Sequence, residues 1–493
     1  MLHLLGGIAF LILGYLTYGK LVERVIKPDD RPTPAVAEPD GVDFVPLPKW
    51  KNMMIQLLNI AGTGPVIGVI LGIKFGKVAL LIIPVGCVFM GAVHDFMTGM
   101  MSVRMKGANL PKMLYCTLGR GYATVFSWAM VFLLLLCVTV FINVPAKLID
   151  TNWIPSVEFF WPAVAIIFVY YVVATVFPVD KIIGRIYPVF SIMLLVGTVA
   201  IFGALIWRCC TGDAAILGES AAFLKYHDEV FAANGRSPLF PLLFVTIACG
   251  IISGFHATQS PIVARTIRSE HEARATFYGM MIGEGVIAMI WACAALAMYN
   301  INPADLDLNP AVVLSHAATE LLGVWVGGAA VFAVVVLAIT SGDTALRSAR
   351  LSLSEMIGLA QKPLLNRILV CLPLVAIVAG FIWWSSLSPK TFNHVWNYFA
   401  WGNQFVAATT LMAATVWLLR EGHKVACLMT LVPGLFMSTV VVSFILWTSA
   451  DKGQPWGLVP GGLPLGISIA IGVVVAIAFA IFACYRGKKE NLV

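Results

Sequence analysis

Long apolar stretches alternate with short polar segments along the chain, and thirteen of the stretches reach the roughly 18 residues that cross a membrane. No small-residue cleavage site follows the first stretch, so we expect it to remain as a helix. The pattern predicts an all-α polytopic membrane protein with about 13 transmembrane helices. In order, the candidate spans cover residues 2–19, 52–73, 78–103, 122–144, 160–177, 187–207, 239–264, 275–299, 322–345, 366–387, 395–419, 425–448 and 461–485.

Two of these spans contain residues that interrupt a helix. The second holds Ala61-Gly62-Thr63-Gly64-Pro65 and the seventh holds Ser253-Gly254-Phe255-His256. Proline removes a backbone donor and glycine loses extra entropy in a helix. In hydrocarbon, such a break is tolerated only where it is buried in protein or lines a cavity. Paired breaks in two five-helix halves indicate an inverted-repeat secondary transporter. We therefore predict a five-plus-five core whose helices one and six, the second and seventh spans, are broken and hold a solute.

Charge and composition support a membrane topology. The chain is 60% hydrophobic and 12% charged, with a mean hydropathy of +0.90. Of the 32 lysines and arginines, 24 fall in alternate loops if the N-terminus is outside and the C-terminus cytoplasmic. These basic residues are scattered, so the net charge of +7 does not indicate a nucleic-acid partner. No CxxC pair occurs, and we expect neither a metal nor a cofactor.

The spans divide the chain into five predicted segments. A first helix and a cytoplasmic linker precede the two repeats, and an external loop separates those repeats. Two terminal helices follow as peripheral scaffold or oligomer contacts. In order, the segments are 1–43, 44–208, 209–238, 239–420 and 421–493.

Six short stretches within the core form a recognisable set of motifs. They are AGTGPVIG at 61–68, GAVHDF at 91–96, SVRMKG at 102–107, ACGIISGFHATQSP at 248–261, TSGDTALRSAR at 340–350 and WGNQFVAA at 401–408. Together they resemble the carbon starvation protein A family. That resemblance implies an inner-membrane transporter for peptides or pyruvate, coupled to protons, with a leucine-transporter-like inverted-repeat fold.

Candidate substrate-binding residues lie at the two breaks and on the eleventh span. Gly64 and Pro65 open a helix whose N–H groups suit a carboxylate, an interaction worth about 1–2 kcal/mol where partly buried. His256 would take a proton, bind the solute, or do both. A kink filled by side chains and a neutral packing histidine are the structural alternatives. The candidates are Gly62, Thr63, Gly64, Pro65, Ser253, Gly254, Phe255, His256, Gln259, Asn403 and Gln404. Trp396 and Trp401 would either wall the cavity or belong to an interfacial belt.

The third span carries His94 and Asp95 as candidates for ion coupling or gating. Charge inside a span is expensive and is a functional hypothesis by default. Adjacent helical residues point about 100° apart, so we expect the two not to face one cavity squarely. The alternative for Asp95 is a structural ion pair with Arg104 or another cytoplasmic base. Glu284, between two glycines in the eighth span, is a further buried acid without an assigned role.

The ninth span supplies the other coupling candidates. Hydroxyl groups there, with carbonyls from the broken second span, would coordinate sodium, or Asp343 would carry the proton. The structural alternative is a polar helix end beside Arg347 and Arg350. These candidates are Thr340, Ser341, Asp343 and Thr344.

The favoured hypothesis is a secondary active transporter that imports a short peptide or pyruvate by proton symport with alternating access. Sodium coupling and a nutrient sensor with a transporter fold are the alternatives. A channel is less favoured because the break is doubled. An intramembrane enzyme is less favoured because HExxH and GxSxG are absent and Ser253 and His256 lack a third orienting group. A Walker motif is also absent. The expected partners are the solute, a proton or sodium, and membrane lipid, with the oligomeric state open.

Overall fold

The computed structural model describes residues 1–152, 158–176, 179–211, 238–308, 310–387, 389–452 and 456–488, and every regular element within these ranges is helical. We number the helices after the candidate spans that contain them. They are α1 Leu2–Ile26, α2a Lys49–Ala61, α2b Gly64–Phe75, α3 Val78–Arg104, α4 Arg120–Asn152, α5 Phe160–Val176, α6 Val179–Cys210, α7a (Leu239–Thr246 with Ala248–Ile251), α7b Gly254–Ala264, α8 Glu270–Ile301, α9 Pro310–Ile357, α10 Leu364–Ser385, α11 Pro389–Arg420, α12 Leu428–Trp447 and α13 Leu465–Lys488.

Each candidate span contains a helix or a series of short helices. Among the described residues, nine helices are long and apolar enough to cross a membrane, and the two halves of α2 make a tenth if they form one span. The chain is therefore an all-α, multi-pass membrane protein, as predicted. The total of thirteen spans and the inverted-repeat relation remain predictions, because α5, α7 and α11 lie outside that group of ten. The predicted external loop, 209–238, lies mostly outside the described residues.

The predicted break in α2 is confirmed. The axis bends by 51° between α2a and α2b. Gly62 has φ +43° and ψ −153°, a conformation that glycine reaches readily and other residues do not. A Cβ there would lie 3.1 Å from Cζ of Phe141. After the bend, the carbonyl of Thr63 accepts from the N–H of Ile67 at 2.7 Å and restarts the helix.

The predicted break in α7 is also confirmed. The first half ends at Ile251, Ser253 is extended (φ −135°, ψ 129°), and α7b begins at Gly254. The N–H of Phe255 donates to Oδ1 of Asn403 at 3.0 Å. A side chain of α11 thus satisfies a donor that the start of a helix leaves without an intrahelical partner.

The two broken helices lie in the interior, between α3, α8 and α9. Every residue of α7b is buried, as is the stretch of α3 from Ala92 to Val103. The amide Nε2 of Gln56 on α2a donates to Oγ of Ser260 on α7b at 3.3 Å. By contrast, α12 and α13 pack beside α11, and α13 exposes apolar side chains that include Val474 and Ile481. The proposed scaffold or oligomer role of this pair remains a prediction.

A buried ion network joins three segments that the charge pattern places on one side of the membrane. Glu270, at the start of α8, is fully buried and accepts from Nε and Nη2 of Arg104 at 3.2 and 3.0 Å. It also accepts from the N–H of Asp29 in the linker at 3.2 Å. The linker is thereby tied to the ends of α3 and α8.

We expect Glu270→Gln to destabilise the protein by about 3–5 kcal/mol, because removal of one partner leaves a buried charge uncompensated. Thermal unfolding of the detergent-purified protein measures the effect. Lys147→Gln is the control, since Lys147 forms an exposed pair with Asp150, and such pairs contribute about 0–1 kcal/mol. Equal melting temperatures for the two variants would contradict this assignment.

Candidate functional site

Several buried polar atoms at or beside the two breaks have no hydrogen-bond partner in the described part of the chain. They include both side-chain atoms of Asn59, Oγ1 of Thr63, Oγ of Ser253, Oε1 of Gln259 and Oε1 of Gln404. A buried polar group left unsatisfied costs about 1–3 kcal/mol. Such groups require a polar occupant, and the two breaks bring them together from α2, α7 and α11.

Aromatic side chains enclose this region. The Phe141 ring on α4 lies against Gly62 and makes edge contacts with Phe255 and Phe399 at centroid distances of 5.8 and 5.7 Å. Beside it, a cavity of about 10 Å³ is lined by α4, α7b and α11 and includes Gly254 and Asn403. That volume is about enough for one water molecule. A larger solute therefore needs movement of these helices to enter.

Four ionisable side chains meet next to the α7 break. Nδ1 of His256 lies 3.0 and 3.2 Å from the carboxylate oxygens of Asp95. Nδ1 of His94 lies 2.9 Å from Oδ1 of Asp95. On the other side of the imidazole, Nε2 of His256 lies 3.4 Å from Oε2 of Glu284. All four side chains are fully buried. The cluster joins α3, α7b and α8.

This geometry constrains where protons reside. If Asp95 is ionised and accepts from both Nδ1–H groups, a neutral His256 presents a lone pair at Nε2. That lone pair faces Glu284, so a protonated Glu284 carboxyl could donate a hydrogen bond to it. Alternatively, a protonated His256 could donate from Nε2 to an ionised Glu284. In both of these arrangements a proton would lie between His256 and Glu284, because burial makes an extra unpaired charge costly.

The contacts of this cluster bear on three statements made from the sequence. Asp95 does not contact Arg104, which pairs with Glu270, so that structural alternative is wrong. His94 and Asp95 contact each other within α3, and the expectation that they do not both face one cavity squarely stays a prediction. His256 also has an orienting carboxylate, which the sequence argument did not supply, because Asp95 is distant in sequence and adjacent in the fold.

On α9, the predicted coupling residues separate into two groups. The hydroxyls of Thr340 and Thr344 donate to carbonyls of their own helix, and Oγ of Ser341 donates to the carbonyl of Leu58 beside the α2 break at 3.1 Å. Asp343 instead accepts from the hydroxyl of Tyr170 at 2.6 Å and from the hydroxyl of Tyr187. The carboxylate is thereby held between α5 and α6, away from the four-residue cluster.

The remaining candidates connect neighbouring helices. Gln259 donates to Oγ of Ser348 on α9 at 3.2 Å, and Gln404 donates to the carbonyl of Ile252 at 3.4 Å. Of the two tryptophans, Trp401 stacks on Phe405 and donates to the carbonyl of Val441 on α12. It therefore packs against the peripheral helix, whereas Trp396 packs edge-on against Phe399, one of the rings near the α2 break.

Sequence reasoning missed several residues of this region. Asn59 lies two positions before the break, and an amide inside an apolar span was a usable signal. Tyr170 and Tyr187 gave no such signal, because tyrosine is common in membrane helices and their partner is fixed only by tertiary packing. Asp43 was assigned to a surface linker, yet it is buried beside Arg347 and Arg350.

Comparison with known proteins identifies the family. The family described as carbon starvation protein CstA matches residues 1–164, 157–325 and 308–443. A peptide transporter CstA of Campylobacter jejuni is 26% identical, over 86% of this chain and 77% of that protein. The pyruvate/proton symporter BtsT of Escherichia coli K12 is 28% identical, over 56% of this chain and 46% of that protein.

The fold is similar to that of solved transporters. A manganese transporter of Eremococcus coleocola superposes with a TM-score of 0.56, over 92% of this chain and 99% of that one, at 12% identity. That likeness concerns the fold alone. The names of the sequence relatives describe membrane transport and not an enzyme. Because the family match extends over most of the core and both breaks, the chain belongs to the carbon starvation protein CstA family.

Proposed function

We propose that this protein is a secondary active transporter that imports a small carboxylate-bearing nutrient, a short peptide or pyruvate, by proton symport. The observation that carries the proposal is the set of unpartnered polar atoms at the two breaks. A solute with a carboxylate and further polar groups would satisfy these atoms. The names of the relatives, a peptide transporter and a pyruvate/proton symporter, support the same two substrate classes.

The substrate site in this proposal lies between α2b and α7b. The carboxylate binds beside Gly64 and Pro65 at the start of α2b, where Gly64 contributes a backbone N–H and Pro65 has none. Thr63 and Ser253 contribute hydroxyls, and Gln404 contributes an amide oxygen. Phe255 and the adjacent Phe141 cover the solute. Gly62 and Gly254 allow the close approach, while Gln259 and Asn403 fix the helix positions.

Proton coupling is assigned to the four-residue cluster of His94, Asp95, His256 and Glu284. His256 follows the α7 break directly, so solute binding and proton occupancy affect the same helix terminus. Sodium coupling at α9 stays the alternative, because the hydroxyls of Thr340, Ser341 and Thr344 donate to carbonyls and still keep oxygen lone pairs that a sodium ion could use. Asp343, held by two tyrosines, is the second candidate for the proton.

Alternating access would follow from movement of the helix group that contains α2 and α7 relative to the others. In the proposed orientation, the protein lies in a bacterial-type inner membrane with the N-terminus outside and the C-terminus cytoplasmic. The contacts of Glu270 with Arg104 and the linker bring together loops that the basic residues assign to the cytoplasmic side.

Uptake into proteoliposomes tests the proposal. Labelled pyruvate and a labelled dipeptide are offered separately, with an inward proton gradient or an inward sodium gradient. We expect accumulation of one of the two solutes under the proton gradient and none under sodium alone. One pH unit supports about tenfold accumulation for one proton per solute, because 1.4 kcal/mol is a factor of ten. Accumulation driven by sodium, or of neither solute, would overturn the proposal.

A further inference from the structure

A cluster of buried arginines lies near the C-terminal end of α9, outside the site described above. Arg347 and Arg350 are 1% and 0% exposed, and Arg367 on α10 is 7% exposed. Buried arginines are normally paired with acids. Among the described residues, Asp43, in the linker before α2, is the carboxylate that forms ion pairs with this cluster. Arg347 and Arg350 thus share the Asp43 carboxylate.

The contacts of Asp43 with the cluster are long. Its Oδ1 lies 3.5 Å from Nη1 of Arg347 and 3.7 Å from Nη2 of Arg350. Charge-assisted hydrogen bonds of this kind are usually about 2.7–2.9 Å. The Asp43 carboxylate thus lies beside the guanidinium groups without closing tightly on Arg350.

Arg350 retains an unused binding edge. Its Nη1 donates to Oε1 of Gln361 at 2.6 Å. Its Nε and Nη2 are buried and have no hydrogen-bond partner within the described ranges. These two atoms form the side of a guanidinium that binds both oxygens of a carboxylate together. The structure therefore contains a buried bidentate donor pair without an acceptor, next to a carboxylate that partly neutralises it.

The arginine cluster has exposed residues on one side and the helix that contacts the α2 break on the other. Gly41 and Pro46, on either side of Asp43, are exposed, as are Gly358 and Lys362 in the loop after α9. Toward the interior, Ser341 contacts the α2 break from the same helix. Nine residues separate it from Arg350, about 13.5 Å along a helix. Ser348, between them, accepts from Gln259 of α7b.

We propose that Arg350 and Arg347 form a second anion site, which binds the carboxylate of the transported solute between the breaks and the cytoplasm. Asp43 is the resident carboxylate that the solute displaces. This inference rests on the proposed function, because it takes its ligand from that function. The site binds the solute through its carboxylate, so the rest of the molecule contributes little to binding there.

Protection of Arg350 against phenylglyoxal, an arginine-modifying reagent, tests the site without transport. The full-length protein in detergent is treated with the reagent alone or together with pyruvate, methyl pyruvate or inorganic phosphate, and modified peptides are quantified by mass spectrometry. We expect pyruvate to slow modification of Arg350 about tenfold, the effect of one good charged contact. The exposed Arg120 is the internal reference, and its modification rate should not change.

The other additions distinguish the alternatives. Protection by methyl pyruvate, which lacks the carboxylate, would overturn the assignment of a carboxylate site. Equal protection by phosphate would assign the site to a cytosolic anion and not to the solute. Asp43→Asn removes the competing carboxylate, so it should lower the pyruvate concentration needed for half-protection about tenfold. Failure of phenylglyoxal to modify Arg350 even in this variant would contradict the access that the site needs.

The outcomes for the two proposals can be separated. Proton-driven uptake without protection of Arg350 would remove the second site and leave the transport proposal intact. Protection without uptake would leave an anion site in a protein that does not accumulate these solutes. Proteoliposomes that contain the Arg350→Lys variant give a further test, because lysine keeps the charge and loses the bidentate edge. We expect the solute affinity measured from the cytoplasmic side to fall about tenfold, with the external affinity unchanged.

Discussion

Proton-driven accumulation of solute should be lost in Glu284→Gln, while exchange of solute across the membrane persists. Both oxygens of Glu284 lack a hydrogen-bond partner in the described chain, and Oε2 lies 3.4 Å from Nε2 of His256. An amide fills nearly the same volume but cannot release a proton. The substitution therefore removes the coupling step and leaves the residues at the two breaks in place.

Two measurements on the same proteoliposomes give the result. Under a gradient of one pH unit, the wild type should accumulate solute about tenfold, and the variant should only equilibrate it. Counterflow, in which unlabelled internal solute exchanges with labelled external solute without a gradient, should remain within about twofold of the wild type. Glu320→Gln is the matched control, because Glu320 is half-exposed and pairs with Arg208 at the surface, where such pairs contribute about 0–1 kcal/mol.

Asp343→Asn decides between the two proton sites. If Glu284→Gln still accumulates solute under the proton gradient and Asp343→Asn does not, the coupling proton belongs to the carboxyl held by Tyr170 and Tyr187. Loss of both accumulation and counterflow in Glu284→Gln would also contradict a role in coupling alone, because it would indicate that Glu284 is needed for the fold or for solute binding.

The sequence was sufficient to predict the helical class and both breaks. Both breaks follow from local backbone chemistry. At the α2 break, Pro65 lacks a backbone donor and Gly62 has a positive φ. At the α7 break, Ser253 is extended and Gly254 begins the next helix. These constraints act over a few residues, so a single sequence contains them.

The partners within the site could not be predicted in this way. His256, Asp95 and Glu284 lie on three helices, and the contact between His256 and Asp95 joins residues 161 positions apart. Local chemistry does not fix which buried acid meets which buried base. The structural alternative that paired Asp95 with Arg104 was wrong for this reason. Asp43 shows the same limit, because a polar linker gives no sign that one of its acids is buried against α9.

The α7 break also depends on one long-range contact that the local chemistry does not reveal. Gly254 begins α7b directly against the backbone of α11. A Cβ at this position would collide with the carbonyl oxygen of Asn403, with Cβ of Val406 and with the backbone nitrogen of Ala407. Two of these three atoms belong to the backbone of a buried helix, so they cannot move aside as a flexible side chain can.

Gly254→Ala should therefore lower both stability and transport. Overpacking a buried contact costs about 1–3 kcal/mol, and the shift would also move the N–H of Phe255 away from Asn403. We expect a lower melting temperature and at least about tenfold slower counterflow, since 1.4 kcal/mol corresponds to a factor of ten. Gly283→Ala on α8 is the control, because a Cβ there meets Cδ1 of Leu57 at an ordinary 3.6 Å. Alanine also favours a helix interior over glycine by up to about 1 kcal/mol. If the Gly254→Ala variant showed counterflow at the wild-type rate, α7b and α11 would be free to separate. The close contact between them would then not hold the α7 break.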